Sequence, residues 1–231
     1  MSTFLLVHGA FHGAWCWDLL RPELERAGHR TIAVDLPCDD PAAGNVRYAE
    51  VAMAAVSPAD EDLVVVGHSL AGLTVPLIAA ARPVRLMVFL NAFMPRPGEA
   101  FTSQFEEPGI FPPTPEETWP LTRDDGLLVW PPERVIPALY ADAPADLARW
   151  AAGKLRPQSR APHSEVCPLG AWPEVPSAYV LSTADTAVGA EWARAAARTR
   201  LGVTAAELRG GHMSMLVRPA ELADLLLGFV R

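Results

Sequence analysis

Lysine is nearly missing from this chain. Lys154 is the one lysine in 231 residues, so any site that needs an ammonium group has a single candidate. Cysteine is scarce as well. Cys16, Cys38 and Cys167 are odd in number and widely spaced, which excludes a disulfide framework and a CxxC metal site. No histidine pair at helical spacing flanks a glutamate, and no Cys/His cluster has ligand spacing, so no metal is expected. The glycine-rich stretch Gly67–Gly72 has no lysine and is not a phosphate-binding loop; nothing else in the sequence asks for a cofactor. Positive charge is in deficit, with a net charge of −8, which argues against a nucleic-acid partner and gives no attraction to an anionic membrane. No run approaches the ~20 apolar residues of a membrane helix. The apolar run at 4–7 is short and has no basic flank, so it is not a signal peptide, and the expected location is the cytoplasm.

Half of the residues are hydrophobic, ample for a large buried core. Short apolar runs at 4–7, 31–34, 63–66, 86–90, 178–181 and 203–208 read as buried strands of a parallel sheet. Helical segments at 15–27, 48–56, 70–81, 191–199 and 219–230 separate or follow them. Strand–helix alternation predicts an α/β fold with helices on both faces of the sheet. Pro76 falls inside the third helix and predicts a kink or a late start there. The alternation breaks between residues 95 and 176. That stretch holds 16 of the 23 prolines and is rich in large aromatics, among them Phe101, Phe105, Phe111, Trp119, Trp130, Tyr140 and Trp150. Linkers are poor in aromatics, so the segment reads as an inserted lid with one helix near 145–152, on a single domain spanning 1–231 whose core is 1–94 and 177–231.

Three loops carry residues suited to acyl transfer. The first is Gly67-His68-Ser69-Leu70-Ala71-Gly72, where a buried strand runs through a tight turn into a helix. This nucleophile-elbow pattern exposes a serine hydroxyl at the top of a sheet and names Ser69 as nucleophile, with Ala71 in place of the usual second glycine. The second is His8-Gly9-Ala10-Phe11-His12-Gly13, after the first strand. A tetrahedral intermediate needs two donors aimed at its oxyanion. The N–H groups of Leu70 and Ala10 fit, with Phe11 as the neighbouring alternative to Ala10. His8 and His12 read as structural. The third is Arg209-Gly210-Gly211-His212, after the last strand, where His212 is the histidine best placed to take the serine proton. Asp185, following the strand at 178–181, is placed to orient His212. Asp142 and Asp146 read as solvated, and Glu99 is the rival acid. His68 is expected to point away from Ser69.

On these motifs the chain resembles the α/β-hydrolase superfamily, and within it the plant methylesterase and hydroxynitrile lyase branch with its bacterial relatives. The resemblance runs from residue 4 to residue 215. It implies a six-stranded, mostly parallel core with a lid after the fourth strand, a triad of Ser69, Asp185 and His212, oxyanion donors at Ala10 and Leu70, and a homodimer. Cyanohydrin-cleaving members carry threonine at the position of Ala10 and lysine just after the histidine. Here Met213 follows His212, which turns the expectation toward a serine esterase acting on a small apolar ester. The alternatives are a lyase on the same triad, a lactone, amide or thioester hydrolase, and an inactive ligand-binding protein. Relatives often have Ile-Pro after the acid where this chain has Val188-Gly189, which puts the shape of that loop in question.

Overall fold

A computed structural model describes residues 1–58, 60 and 62–231. The main sheet takes β1 (Thr3–Val7), β2 (Arg30–Val34), β3 (Leu63–His68) and β4 (Leu86–Leu90). A hairpin of β5 (Leu121–Thr122) and β6 (Leu128–Val129) stands apart, and the sheet resumes with β7 (Ser177–Ser182) and β8 (Ala206–Leu208). The order across it is β2-β1-β3-β4-β7-β8, and every neighbouring pair is parallel. This is the parallel α/β architecture anticipated from the apolar runs, with the six strands that the resemblance to α/β-hydrolases implies. β8 is shorter than expected because Val203 donates its N–H to Ala197 O, closing the turn that precedes the strand.

Successive side chains of a strand point to opposite faces, and the core divides accordingly. Leu5, Val65, Phe89 and Tyr179 pack on one face; Phe4, Val66, Val88 and Val180 pack on the other. The helices are α1 (Arg21–Arg26), α2 (Asn45–Ala54), α3 (Val75–Ala81), α4 (Pro132–Leu139), α5 (Ala145–Ala152), α6 (Ala161–Ser164), α7 (Ala190–Ala196), α8 (Ser214–Val217) and α9 (Pro219–Gly228). One long helix expected from the sequence is divided, and another starts late, as Pro76 predicted. The segment at 15–27 is a 3-10 turn, Ala14–Trp17, followed by α1, and the segment at 70–81 is a 3-10 turn, Ser69–Leu73, followed by α3. Pro22 and Pro76 explain both. Each lacks the N–H that a helix interior requires, so each sits in the first turn of its α-helix, where that N–H has no intrahelical partner anyway.

The segment at 95–176 is neither floppy nor detached. Val135, Tyr140, Ala148 and Ala151 join the same apolar cluster as Phe4 and Val66. Its prolines open helices: Pro131 and Pro132 at α4, Pro144 at α5, Pro162 at α6. Among the described residues, no helix is long and apolar enough to cross a membrane.

Candidate active site

In a parallel sheet all carboxyl ends lie on one edge, and ligands bind in the crevice outside them. The loops after β1, β3, β4, β7 and β8 therefore converge, and they carry His8–Gly13, Ser69, Asn91, Asp185 and His212 respectively.

Ser69 sits at φ +55°, a left-handed conformation that costs a non-glycine residue free energy and is held by its surroundings. Those surroundings are crowded. A Cβ on Gly72 would lie 2.0 Å from Phe93 O, so the chain needs glycine there, and Ala71 is accommodated one residue earlier. The substitution of alanine for the second glycine of the motif thus leaves the turn intact. Gly9 is equally tight: a Cβ there would stand 2.8 Å from Ser69 Cβ. Gly9→Ala is expected to displace the serine and lower kcat for an ester at least tenfold, since misplacing a reacting group by about 1 Å can cost ~100-fold; steady-state kinetics beside circular dichroism of the variant would check it.

The structure brings His212 and Asp185 together. His212 Nδ1 lies 2.9 Å from both Asp185 carboxylate oxygens, and both residues are buried. Asp185 Oδ1 also accepts the N–H groups of Ala187 at 2.7 Å and Val188 at 3.0 Å. A carboxylate held this way accepts the Nδ1 proton and leaves His212 Nε2 as the basic nitrogen. The Val188-Gly189 departure resolves locally. Gly189 donates its N–H to Ile110 O at 3.0 Å, a bond proline could not make.

The Ser69 hydroxyl makes no hydrogen bond to His212 or to any other described residue. The link between their loops is His68, whose ring packs on the His212 ring at 4.5 Å between centroids. As expected, His68 is turned from Ser69: its Nε2–H donates to His212 O at 3.1 Å. Asn91 Nδ2 donates to the same carbonyl at 2.9 Å and to Ser182 Oγ at 3.0 Å, while Asn91 Oδ1 accepts Ser182 N–H at 2.6 Å. Asn91 was not singled out from the sequence. Its signal there is faint, a lone Asn after a strand; in the structure it has φ +46°, a conformation Asn tolerates better than most residues.

Of the two backbone donors considered on the β1 loop, one is engaged within the protein. Phe11 N–H is taken by Gln158 Oε1 at 3.1 Å. Ala10 N–H has no acceptor among the described residues, and Leu70 N–H belongs to the first turn of a helix, whose donors lack intrahelical partners. Burial pushes His8 down to about 4 and His12 down to about 3, and drives His68 well below the ordinary histidine value. All three rings are neutral near pH 7. His8 Nδ1–H donates to Gly9 O at 2.8 Å and its Nε2 accepts Leu36 N–H at 3.0 Å, the structural role expected of it. Glu99 stays on the surface, pairing with Arg96 and Ser103. Asp146 is likewise exposed, against Arg149. Asp142 is exposed as expected, and its Oδ2 also accepts Gly211 N–H at 2.8 Å, because the α4–α5 turn reaches the loop that carries His212.

A cluster of apolar rings begins at Phe93, whose backbone is hydrogen-bonded to Ser69. Phe93 donates its N–H to Ser69 O at 3.1 Å, and its ring meets Phe101 at 4.7 Å and Phe111 at 5.5 Å. Phe11 meets Trp130 of the inserted segment edge-on at 5.1 Å. Among the described residues, no group of His, Cys, Asp and Glu is arranged to hold a metal.

Comparison with known proteins adds four findings. The sequence matches the Alpha/beta hydrolase family over residues 4–225. It is 31% identical over 258 residues to Salicylic acid-binding protein 2 of Nicotiana tabacum, covering 97% of this chain and 95% of that protein. It is 31% identical over 246 residues to Alpha-hydroxynitrile lyase of Arabidopsis thaliana, covering 96% and 95%. The crystal structure of polyneuridine aldehyde esterase superposes with a TM-score of 0.82 over the full length of both chains at 24% identity, a likeness of fold.

Proposed function

Since the chain belongs to the alpha/beta hydrolase family, we propose that it is a serine hydrolase that cleaves small apolar carboxylic esters through an acyl-enzyme, without a cofactor. The observation that carries this reading is the buried Asp185 carboxylate bound to His212 Nδ1, on the same sheet edge as a serine in a left-handed elbow. Ser69 Oγ attacks the ester carbonyl while His212 Nε2 takes its proton. The N–H groups of Ala10 and Leu70 receive the negative charge that develops on the carbonyl oxygen. His212 then gives its proton to the departing alcohol as the tetrahedral adduct collapses. A water attacks the acyl-Ser69 bond with His212 again as base, the carboxylic acid leaves, and the serine regains its proton. Asp185 stabilises the imidazolium in both halves.

The rings of Phe93, Phe101 and Phe111, packed on one another from the residue whose N–H meets Ser69 O, favour an apolar acyl or alcohol group. Hydrolysis is favoured over cyanohydrin cleavage by Met213, an uncharged and fully buried side chain after His212, and by Lys154, engaged over the Trp150 ring at 4.9 Å. No ammonium then stands ready for a leaving cyanide.

The test is labelling with a fluorophosphonate followed by peptide mass analysis, beside turnover of p-nitrophenyl butyrate. Adduct formation on Ser69 with parallel loss of turnover is expected. Turnover that survives full labelling, or an adduct elsewhere, would overturn the reading. Release of hydrogen cyanide from mandelonitrile faster than ester turnover would reassign the reaction to the lyase.

A further inference from the structure

Between positions 138 and 142 the chain leaves α4, turns, and touches three of the loops just described. Ala138 O accepts the Thr186 hydroxyl, next to Asp185 on the β7 loop. Tyr140 O–H donates to His12 Nε2 at 2.7 Å, and His12 Nδ1 in turn lies 2.6 Å from Ala10 O on the β1 loop. Asp142 Oδ2 accepts Gly211 N–H at 2.8 Å, next to His212 on the β8 loop. The direction of the middle relay is settled by chemistry. Ala10 O can only accept, so Nδ1 carries the proton; the ring is neutral, so Nε2 accepts and the phenol donates.

We propose that the α4–α5 turn is a clamp that sets the spacing of the oxyanion, acid and base loops, with Tyr140 and Asp142 as positioning residues that act through His12 and Gly211. The proposal rests on the hydrolase reading for its kinetic consequence, and on geometry alone for its structural one. It assigns the inserted segment a role beyond roofing the site. The segment's far end grips the same β1 loop independently: Arg156 N–H donates to Phe11 O at 2.8 Å, and Gln158 holds Phe11 N–H. The α4–α5 turn is different in reaching the β1, β7 and β8 loops together. The Asp142 contact is also accessible to mutation without disturbing the core. Asp142 is exposed, and a cavity of about 180 Å³ lies beside it, lined also by Leu139, Thr186, Gly211 and His212.

A clamp of this kind has a kinetic signature distinct from general loosening. Asp142→Ala and Tyr140→Phe are each expected to lower kcat about tenfold with KM unchanged within twofold, because the loops that meet the transition state are displaced while the apolar surface beside Ser69 is untouched. Asp142→Asn keeps an oxygen acceptor for Gly211 N–H and is expected within threefold of the wild type. Residues that work as one unit are not additive, so the double variant is expected to fall about as far as either single one. An Asp142→Ala variant within twofold of the wild type, an Asn variant as impaired as Ala, or a double variant showing the full hundredfold product would each overturn the clamp. Amide hydrogen exchange reads the same contact without any substrate. Both Asp142→Ala and Tyr140→Phe are expected to speed exchange at Gly211, and an unchanged Gly211 rate in Tyr140→Phe would sink the coupling between loops. The wild type and Ser69→Ala, run alongside on the ester, test the hydrolase reading separately: equal turnover in those two would remove that reading and leave the exchange result standing.

Discussion

Asp185→Asn is expected to reduce kcat on a small ester about 10⁴-fold, with little change in KM or in the far-ultraviolet spectrum. The magnitude is that found when the acid of a Ser-His-Asp triad is made neutral, and the cause is the histidine tautomer. In the native protein Asp185 can only accept, so it draws the imidazole proton to Nδ1 and leaves Nε2 free to act as base. An asparagine can keep Oδ1 on the N–H groups of Ala187 and Val188, which now hold the carboxylate at 2.7 and 3.0 Å. Its amide nitrogen then faces His212 and donates to Nδ1, which moves the proton to Nε2. The base is lost while the backbone loop is preserved. The buried site also loses the negative charge that stabilises an imidazolium, which matters more here than at a surface because the pair is shielded from water. A fall of less than tenfold would mean that Asp185 does not orient the base. Glu99 offers no substitute, since it lies on the surface against Arg96 and Ser103.

The parts of this site that were legible in the sequence share a physical property: their constraint is local. Ser69 announces itself because a buried strand, a tight turn and a helix start within ten residues leave one conformation for the side chain between them. Asp185 and His212 follow from chain order and from being placed just beyond apolar runs. That Phe11 N–H is engaged was not readable locally, because its acceptor, Gln158, lies 147 positions away. Asn91 and Asp142 were missed for the same reason. An Asn after a strand and an Asp in a proline-rich segment look like ordinary turn residues until the sheet order and the return of the α4–α5 turn set them against the β8 loop. The late start of α3 was legible from Pro76, whereas the helix boundary at Pro22 was off, since periodicity alone does not register a missing N–H.

Acid is expected to destabilise the protein well above the pH at which carboxylates titrate, and the histidines that frame the site are the cause. Burial holds His8 at about 4 and His12 at about 3, whereas both return to about 6.5 when the chain unfolds. Below pH 6.5 the unfolded chain therefore binds protons that the folded chain refuses, and stability falls as pH falls. The contribution is fully present above about pH 6.5 and is lost progressively as the pH drops toward the folded values. At pH 5 each ring accounts for about 2 kcal/mol, so the two together account for about 4 kcal/mol, a large share of the ~5–15 kcal/mol typical of a whole domain. His68, also held well below its ordinary value by burial, acts in the same direction. The carboxylates whose values are lowered by partners, such as Asp62 beside Ser2 and Arg85, stay ionised through this window and act below it. Urea unfolding at pH 7.5, 6 and 5 checks the prediction, with His12→Asn as the attributing variant: asparagine can keep a donor for Ala10 O but has no proton to gain, so its dependence on pH is expected to be shallower by about one proton. Equal unfolding free energies at pH 7.5 and 5 would mean that these rings are not held neutral. A charged His12 cannot accept from Tyr140, so its protonation breaks one of the bonds joining the inserted segment to the β1 loop.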